Sequence, residues 1–220
     1  MMKVPSMNKM SALAVFIVTI SPVMCTASPV GSAFGAQETA RSLGQGKTNL
    51  GLSVGFVDDR SFNGYVTYGM SKYMNGRFKL GIRDNGAARI TVGADFMWQF
   101  WTAGGMRNEP LDLAIGGLLE YTDHGPGSTV QVGGHLTGSY PFHLDYGGTI
   151  SPYGRFNVRT ESHSWRSGVA VDEGHRSRTQ LQFGFNAGVC WSASSVMDFY
   201  GEFQVDGNDG IFFGIDFNVM

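Results

Sequence analysis

From residue 47 onward, large apolar side chains alternate with polar or small ones in one short run after another. A period of two residues is that of a β-strand, in which successive side chains point to opposite faces. Polar, glycine-containing segments such as "DGNDG" at 206–210 separate the runs and favour hairpin turns. The pattern predicts ten strands, at about 47–57, 61–72, 75–83, 88–101, 110–122, 128–140, 148–160, 177–191, 196–205 and 209–219.

The two faces of these strands differ in chemistry. One face is almost entirely apolar, as in Phe203, Val205 and Phe217 near the end of the chain. The other carries polar and charged side chains and many of the 32 glycines. Six basic and six acidic residues fall on it, which predicts a surface balanced by ion pairs: Arg77, Lys79, Arg83, Arg89, Arg155, Arg159, Asp95, Asp112, Glu120, Asp198, Glu202 and Asp216.

Strand length and aromatic placement decide which face meets solvent. A soluble sandwich would bury the apolar face, whereas a transmembrane barrel has strands of about 9–11 residues, a polar interior and two aromatic girdles. With both ends of the chain in the periplasm, aromatic residues gather at the two ends of the predicted strands: Trp98, Phe100, Tyr140, Trp191 and Phe199 on the periplasmic side, and Phe56, Phe62, Tyr121 and Phe213 on the outer side. We therefore predict an all-β fold, a transmembrane antiparallel up-and-down β-barrel of ten strands, with eight or twelve as alternatives.

Composition narrows the class of protein further. Charged residues make up 15% of the chain, below the roughly 25% of soluble domains. The net charge of −2 argues against a nucleic-acid partner, which usually meets a clustered basic face. We expect outer-membrane lipids to surround the barrel instead.

The first residues differ from the rest. Lys3 and Lys9 precede an apolar run that is too short to span a bilayer, and small residues follow it, a pattern typical of a secretory signal peptide. We predict a signal peptide over 1–36 with cleavage after about residue 27 or 35, a periplasmic lead-in over 37–46 and the barrel over 47–220. Cys25 falls in the signal, so Cys190 has no partner for an intramolecular disulfide.

The segments "VTYGMSKYMNGRFKLGI", "ISPYGRFNV" and "FYGEFQVDGNDGIFFGIDFNV" resemble the hairpins and closing strands of small Gram-negative outer-membrane β-barrel proteins of the OmpA-type and opacity-like kind. The resemblance covers about residues 47 to 220. It implies export to the bacterial outer membrane, insertion by the barrel-assembly machinery and no cofactor. Such families usually end on an aromatic residue, whereas this chain ends on Met220.

Three functions fit these features. The first is a structural or small-pore role, with a lumen lined by the balanced charges above and no catalytic residue. The second is a barrel enzyme acting on lipid A or peptides through outer-rim side chains, with these candidates: His124, His163, His175, Asp123, Glu161, Ser164, Asp172 and Glu173. The third is surface binding or adhesion through the loop 160–177, where Trp165 is a candidate anchor. No compact ligand spacing predicts a metal site.

Overall fold

A computed structural model describes residues 31–56, 60–84, 88–102, 111–125, 127–145, 147–165 and 177–219. Within these residues the chain is a succession of β-strands. They are β1 Thr48–Phe56, β2 Arg60–Ser71, β3 Met74–Asp84, β4 Ala88–Trp101, β5 Asp112–Asp123, β6 Gly127–Ser139, β7 Phe142–His143, β8 Thr149–Trp165, β9 Ser177–Ser192, β10 Met197–Val205 and β11 Gly210–Val219. No helix in the described part of the chain is long and apolar enough to cross a membrane.

The strands close into a barrel. Each long strand pairs antiparallel with its neighbours in sequence, β1 pairs with β11, and β6 pairs with β8. The two-residue strand β7 lies beside β8 and outside this ring, so the described residues form a barrel of ten strands. The predicted all-β, antiparallel up-and-down β-barrel is confirmed, and the described residues contain the ten barrel strands that were predicted rather than the alternatives of eight or twelve.

The barrel has two rims, which we call the terminal end and the loop end. The terminal end holds the start of β1 at Thr48 and the end of β11 at Val219. The loop end holds the other set of connections, including the turn 206–209 between β10 and β11. Most predicted strand bounds differ from the observed ones by no more than two residues. The largest error concerns β8, which continues to Trp165 instead of ending at 160, so the loop predicted over 160–177 begins with six strand residues.

Burial follows the alternation of the sequence. Apolar side chains such as Phe78, Leu80 and Ile82 are more than half exposed on the outside of the barrel. Their neighbours in β3 with opposite orientation, Arg77 and Lys79, are buried inside. All nine residues predicted for the aromatic girdles point outward. Several of them contact one another near the rims, with ring centroids 5.5 Å apart for Trp191 and Phe199 and 6.5 Å apart for Phe56 and Phe213.

Glycines on the inner face leave room for large lumenal side chains. A Cβ atom at Gly51 would overlap the ring of Tyr65, and one at Gly55 would lie 2.5 Å from the ring of Phe212. Both aromatic residues are buried. The absence of side chains at these positions is therefore a packing requirement of the lumen.

The N-terminal segment, residues 31–40, lies inside the barrel. Its main chain begins beside Asn208 at the loop end and reaches Ser139 at the terminal end. From there the chain leaves the lumen, and Gly46 and Lys47 bond to the main chain of Gly69 before β1 begins. The sequence predicted residues 37–46 as a periplasmic lead-in, whereas the structure places 37–40 in the lumen. Residues 1–30, which include most of the predicted signal peptide, lie outside the described residues.

Candidate functional site in the barrel lumen

The twelve charged residues predicted to line the lumen are all described, and ten of them are buried. Arg89 and Asp198 are partly exposed. Arg89 lies near the loop end of β4, and Asp198 lies near the terminal end of β10. The lumen thus contains a column of buried charges between two less buried positions at the rims.

Lys79 connects two acidic residues in the middle of this column. Its Nζ lies 3.1 Å from Asp95 Oδ2 and 3.0 Å from Glu120 Oε1. Arg155 approaches the same Asp95 oxygen at 3.7 Å. Because β3, β4, β5 and β8 each contribute one of these residues, the network links four strands across the lumen. Ion pairs of this kind offset the cost of removing each charge from water.

A second network lies closer to the loop end. Arg159 Nε donates to Glu161 Oε1 at 3.0 Å, and its Nη1 donates to Asp206 Oδ2 at 2.8 Å. Arg159 also donates to the main-chain oxygen of Asp206 at 2.6 Å. The sequence placed Glu161 among candidate catalytic groups in an outer loop. This assignment was wrong, because β8 continues past it and its side chain points into the lumen with no exposed surface.

Acidic residues outnumber basic ones inside the described barrel. The buried charged side chains comprise five basic residues and eight acidic ones. The sequence predicted equal numbers, because it missed Glu161, Asp206 and Glu38 of the N-terminal segment. The lumen therefore carries a formal excess of three negative charges rather than a balance.

Ser32 holds the N-terminal segment at the loop end. Its main-chain oxygen accepts hydrogen bonds from Asn208 Nδ2 at 2.7 Å and Gln204 Nε2 at 3.0 Å. Its amide donates to Asp206 Oδ2 at 3.2 Å, and its hydroxyl bonds to both oxygens of Glu120 at 2.9 Å. This one residue joins the segment to the second network and to the Lys79 network.

Glu202 holds the middle of the segment. Its two carboxylate oxygens accept the consecutive amides of Ala36 and Gln37, each at 2.6 Å. Gln37 has a positive φ of 40°, an uncommon conformation that lets both amides point toward one carboxylate. Tyr153 and Asn186 donate to the same carboxylate at 2.5 and 2.8 Å, so four neutral donors surround Glu202. Hydrogen bonds to an ionised group are roughly twice as strong as neutral ones.

Arg77 bonds to the main-chain carbonyl groups of the same two residues. Its Nη1 donates to the oxygen of Ala36 at 2.7 Å, and its Nη2 donates to the oxygen of Gln37 at 3.3 Å. Glu38 adds an ion pair with Arg77 at 3.7 Å. Amides and carbonyls of this bend are thus satisfied by wall side chains, as a buried main chain requires.

The ring of Phe34 packs against the wall at a place where two glycines leave room for it. A Cβ atom at Gly93 would lie 3.0 Å from the Phe34 ring, and one at Gly81 would lie 3.1 Å from it. The ammonium group of Lys79 lies 4.6 Å from the ring centroid, within range of a cation–π interaction. Phe34 is buried, so the aromatic ring contributes packing where the rest of the segment contributes hydrogen bonds.

The space left in the lumen is uneven. Around Ser32, Phe34 and Asp206 the free volume is only about 10 Å³, which is room for no more than one water molecule. At the terminal end a polar cavity of about 430 Å³ lies between the segment and the wall, next to Asp198 and Asp216. The segment therefore closes the lumen toward the loop end and leaves a vestibule at the terminal end.

The rim histidines form a hydrogen-bonded chain rather than an open site. Thr129 Oγ1 lies 2.9 Å from His124 Nε2 and 2.9 Å from His163 Nδ1, and Glu161 Oε2 lies 3.6 Å from His163 Nε2. Burial, with Arg83 and Arg89, lowers the pKa of His124 to about 4. Thr129 has no exposed surface, so this hydroxyl is not placed to meet a substrate.

Of the remaining catalytic candidates, only Ser164 and Asp123 lie within the described residues. Ser164 is exposed and bonds to Ser128 at 3.0 Å, and Asp123 ends β5. His175, Asp172 and Glu173 lie outside the described residues. Among the described side chains, no three His, Cys, Asp or Glu residues are grouped so that they could bind a metal ion.

No family model and no curated protein matches the chain. Among solved structures, the chain is similar to the N-terminal β-barrel domain of Pseudomonas aeruginosa OprF, with 12% identity and a TM-score of 0.38 over 80% of this chain and 99% of that one. It is also similar to the KdgM porin, with 7% identity and a TM-score of 0.41 over 78% of this chain and 99% of that one. The class of the protein, a closed ten-stranded β-barrel, is defined by its own strand pairing.

Proposed function

We propose that this protein is an outer-membrane β-barrel with a small ion-conducting lumen that residues 31–40 keep closed at rest. The observation that supports this most directly is the course of the segment along the lumen, from Asn208 at one end to Ser139 at the other. The cavity beside Ser32 and Phe34 has a volume of only about 10 Å³, so the segment occupies nearly all of the space at this level of the lumen.

The outer surface of the barrel supports a location in a membrane. Large apolar side chains cover it on every long strand, and an apolar surface of that extent is costly in water but compatible with lipid. The polar interior and the outward aromatic residues near both rims agree with this arrangement. Export through a signal peptide, insertion by the barrel-assembly machinery and residence in the outer membrane are parts of the same proposal.

The charged wall is what makes a pore possible once the segment moves. Arg77, Glu120 and Glu202 all bond to the segment, and these groups would face water in its absence. A lumen of this kind could then pass small ions, because ten strands enclose a space only slightly wider than side chains can fill. A wide channel for large solutes does not fit this strand number.

Conductance of the purified protein in planar bilayers tests the proposal. Mass spectrometry first checks that residues 31–40 are retained, as cleavage after residue 27 would ensure. We expect small, rare openings for the wild type. Glu202→Gln should raise the time-averaged conductance by at least about tenfold, because it weakens two hydrogen bonds to an ionised acceptor, each contributing about 1.5–3 kcal/mol.

Asp216→Asn is the matched control. Asp216 is a buried lumenal carboxylate that accepts a hydrogen bond from Tyr65 at 2.5 Å, a contact between two wall residues. Its substitution should leave the opening frequency near that of the wild type. A steady, large conductance of the wild type would refute the closed resting state, and silence of every variant would favour a purely structural barrel.

A further inference from the structure

We propose that the barrel lumen is a binding site for an extended peptide, recognised mainly through its main chain, and that residues 31–40 are its intrachain occupant. The inference rests on the proposed resting state, in which this segment fills the lumen, but it does not require that the lumen conduct ions. A second peptide of matching shape can take the place of the segment when the segment withdraws.

The contacts of the wall are directed at peptide groups. Wall side chains bond to main-chain atoms of five residues of the segment, namely Gly31, Ser32, Ala36, Gln37 and Ala40. Main-chain groups are the same in every sequence apart from proline. A wall that binds them can therefore hold other peptides as well as its own.

The shape of the lumen restricts the side chains of such a peptide. Ala33 and Ala36 are buried, and a Cβ atom at Gly35 would lie 3.0 Å from both Glu202 Oε1 and the Phe212 ring. The space beside Gly81 and Gly93 accommodates one aromatic ring. The fitting ligand is thus an extended peptide with small residues on both sides of a single aromatic residue.

The connection to β1 is suited to release of the segment. Arg41, Gln45 and Gly46 are exposed. Gly44 and Gly46 have φ values of 88° and 79°, and a Cβ atom at either would meet nothing within 4 Å. Residues 44–46 can therefore change conformation while the barrel stays intact. Release of the segment must also break the hydrogen bonds that the amides of Ser42 and Leu43 donate to Gln99 Oε1 at 2.9 Å and Asn75 Oδ1 at 3.1 Å.

Peptide exchange in a nicked protein tests this inference. The full chain is folded with a site-specific protease sequence inserted between Gly44 and Gln45, and cleavage then frees the segment from the barrel without removing it beforehand. The probe is a fluorescently labelled synthetic peptide with the sequence of residues 31–40, and its binding is followed by anisotropy. We expect the labelled peptide to replace the native segment, which mass spectrometry detects as a released fragment.

Two modified peptides separate main-chain recognition from other binding. N-methyl groups at Ala36 and Gln37 remove the amides that Glu202 accepts, so affinity should fall by at least roughly 100-fold. An N-methyl group at Thr39, whose amide forms no hydrogen bond in the described structure, should change affinity by less than about threefold. The Glu202→Gln barrel should bind the unmodified peptide more weakly than the wild-type barrel does. Its affinity for the doubly methylated peptide should differ little from that of the wild-type barrel.

The result can contradict the inference in two ways. Equal affinity for the unmodified and the doubly methylated peptide would show that main-chain contacts do not determine binding. Absence of labelled-peptide binding, whether the nicked protein keeps or loses its own segment, would show that the lumen is not an exchangeable peptide site. Peptide binding without any conductance would refute the proposed pore and leave this inference standing.

Discussion

Gly51 is a single position at which the lumen depends on the absence of a side chain. A Cβ atom there would overlap the Tyr65 ring and lie 2.5 Å from Asp216 Oδ1, so the hydrogen bond between Tyr65 and Asp216 would have to shift. Overpacking of a fitted interior typically costs about 1–3 kcal/mol. We expect Gly51→Ala to lower the free energy of unfolding by this amount, measured by urea titration of the protein folded into lipid vesicles.

Gly64 provides the control, because it faces outward on the adjacent strand. A Cβ atom there would lie 3.7 Å from Leu52 Cδ2, an ordinary contact. Gly64→Ala should change the unfolding free energy by less than about 0.5 kcal/mol. Equal losses for the two variants would mean that glycine matters for strand curvature in general, and the packing explanation would be wrong.

The sequence predicts the face of individual strand residues well, because a period of two continues through each strand. The alternation assigns Tyr65, Tyr153 and Tyr200 to the same face as the charged residues, and all three are buried. Phe212 was not identified as a lumenal residue, although it neighbours outward Phe213 and must therefore point inward. The contacts among lumenal side chains could not be predicted, since alternation gives direction but not which strands face each other across the barrel.

The turn 206–209 is the element at which pH should act on the closed lumen. Burial raises the pKa of Asp206 to about 6, against the lowering effect of Arg159. The other charged groups around it are Glu120, Glu161 and Asp209, with Arg159 at 2.8 Å. An acid with a raised pKa takes up protons more readily when folded, so it stabilises the fold as the pH falls.

Protonation of Asp206 raises the free energy of unfolding as the pH falls from about 6 toward the usual pKa of 3.8. This added stability is lost as the pH rises through about 6. Between pH 7 and pH 5 it should amount to about 1 kcal/mol in the unfolding free energy. Asp206→Asn should remove this difference in urea titrations. Asp145→Asn, in an exposed turn at the terminal end, should keep the wild-type pH dependence; if both variants behave alike, Asp206 is not the titrating group.

At the scale of elements, the sequence predicts the strands but not the segment inside them. Residues 31–40 have no period of two, and most of their bonds to the wall come from main-chain atoms, which no residue type reveals. The end of β8 was missed for a related reason, because "ESHSW" reads as a polar loop although Glu161 points inward in a continuing strand. Because of these two errors, the predicted lumen lacked acidic residues that the structure places in it.

The closed ring of strands follows from the whole pattern, because an even number of strands returns both ends of the chain to one rim. The net charge of the lumen is also a property of the whole molecule. It can be counted only when the acidic residues absent from the predicted lumen are included. Five basic and eight acidic buried side chains make the lumen negative, and withdrawal of Glu38 with the segment would still leave more acidic groups than basic ones. A narrow negative pathway attracts cations and repels anions.

We therefore expect the openings of the wild type to select K⁺ over Cl⁻, with a reversal potential in a KCl gradient displaced toward that of K⁺. Lys79 and Asp95 form a matched pair, since they lie 3.1 Å apart in the same network. Lys79→Gln removes a positive charge and should strengthen the preference for K⁺, whereas Asp95→Asn should weaken it. Openings that prefer Cl⁻, or two variants that shift the reversal potential in the same direction, would show that the excess of buried carboxylates does not control permeation.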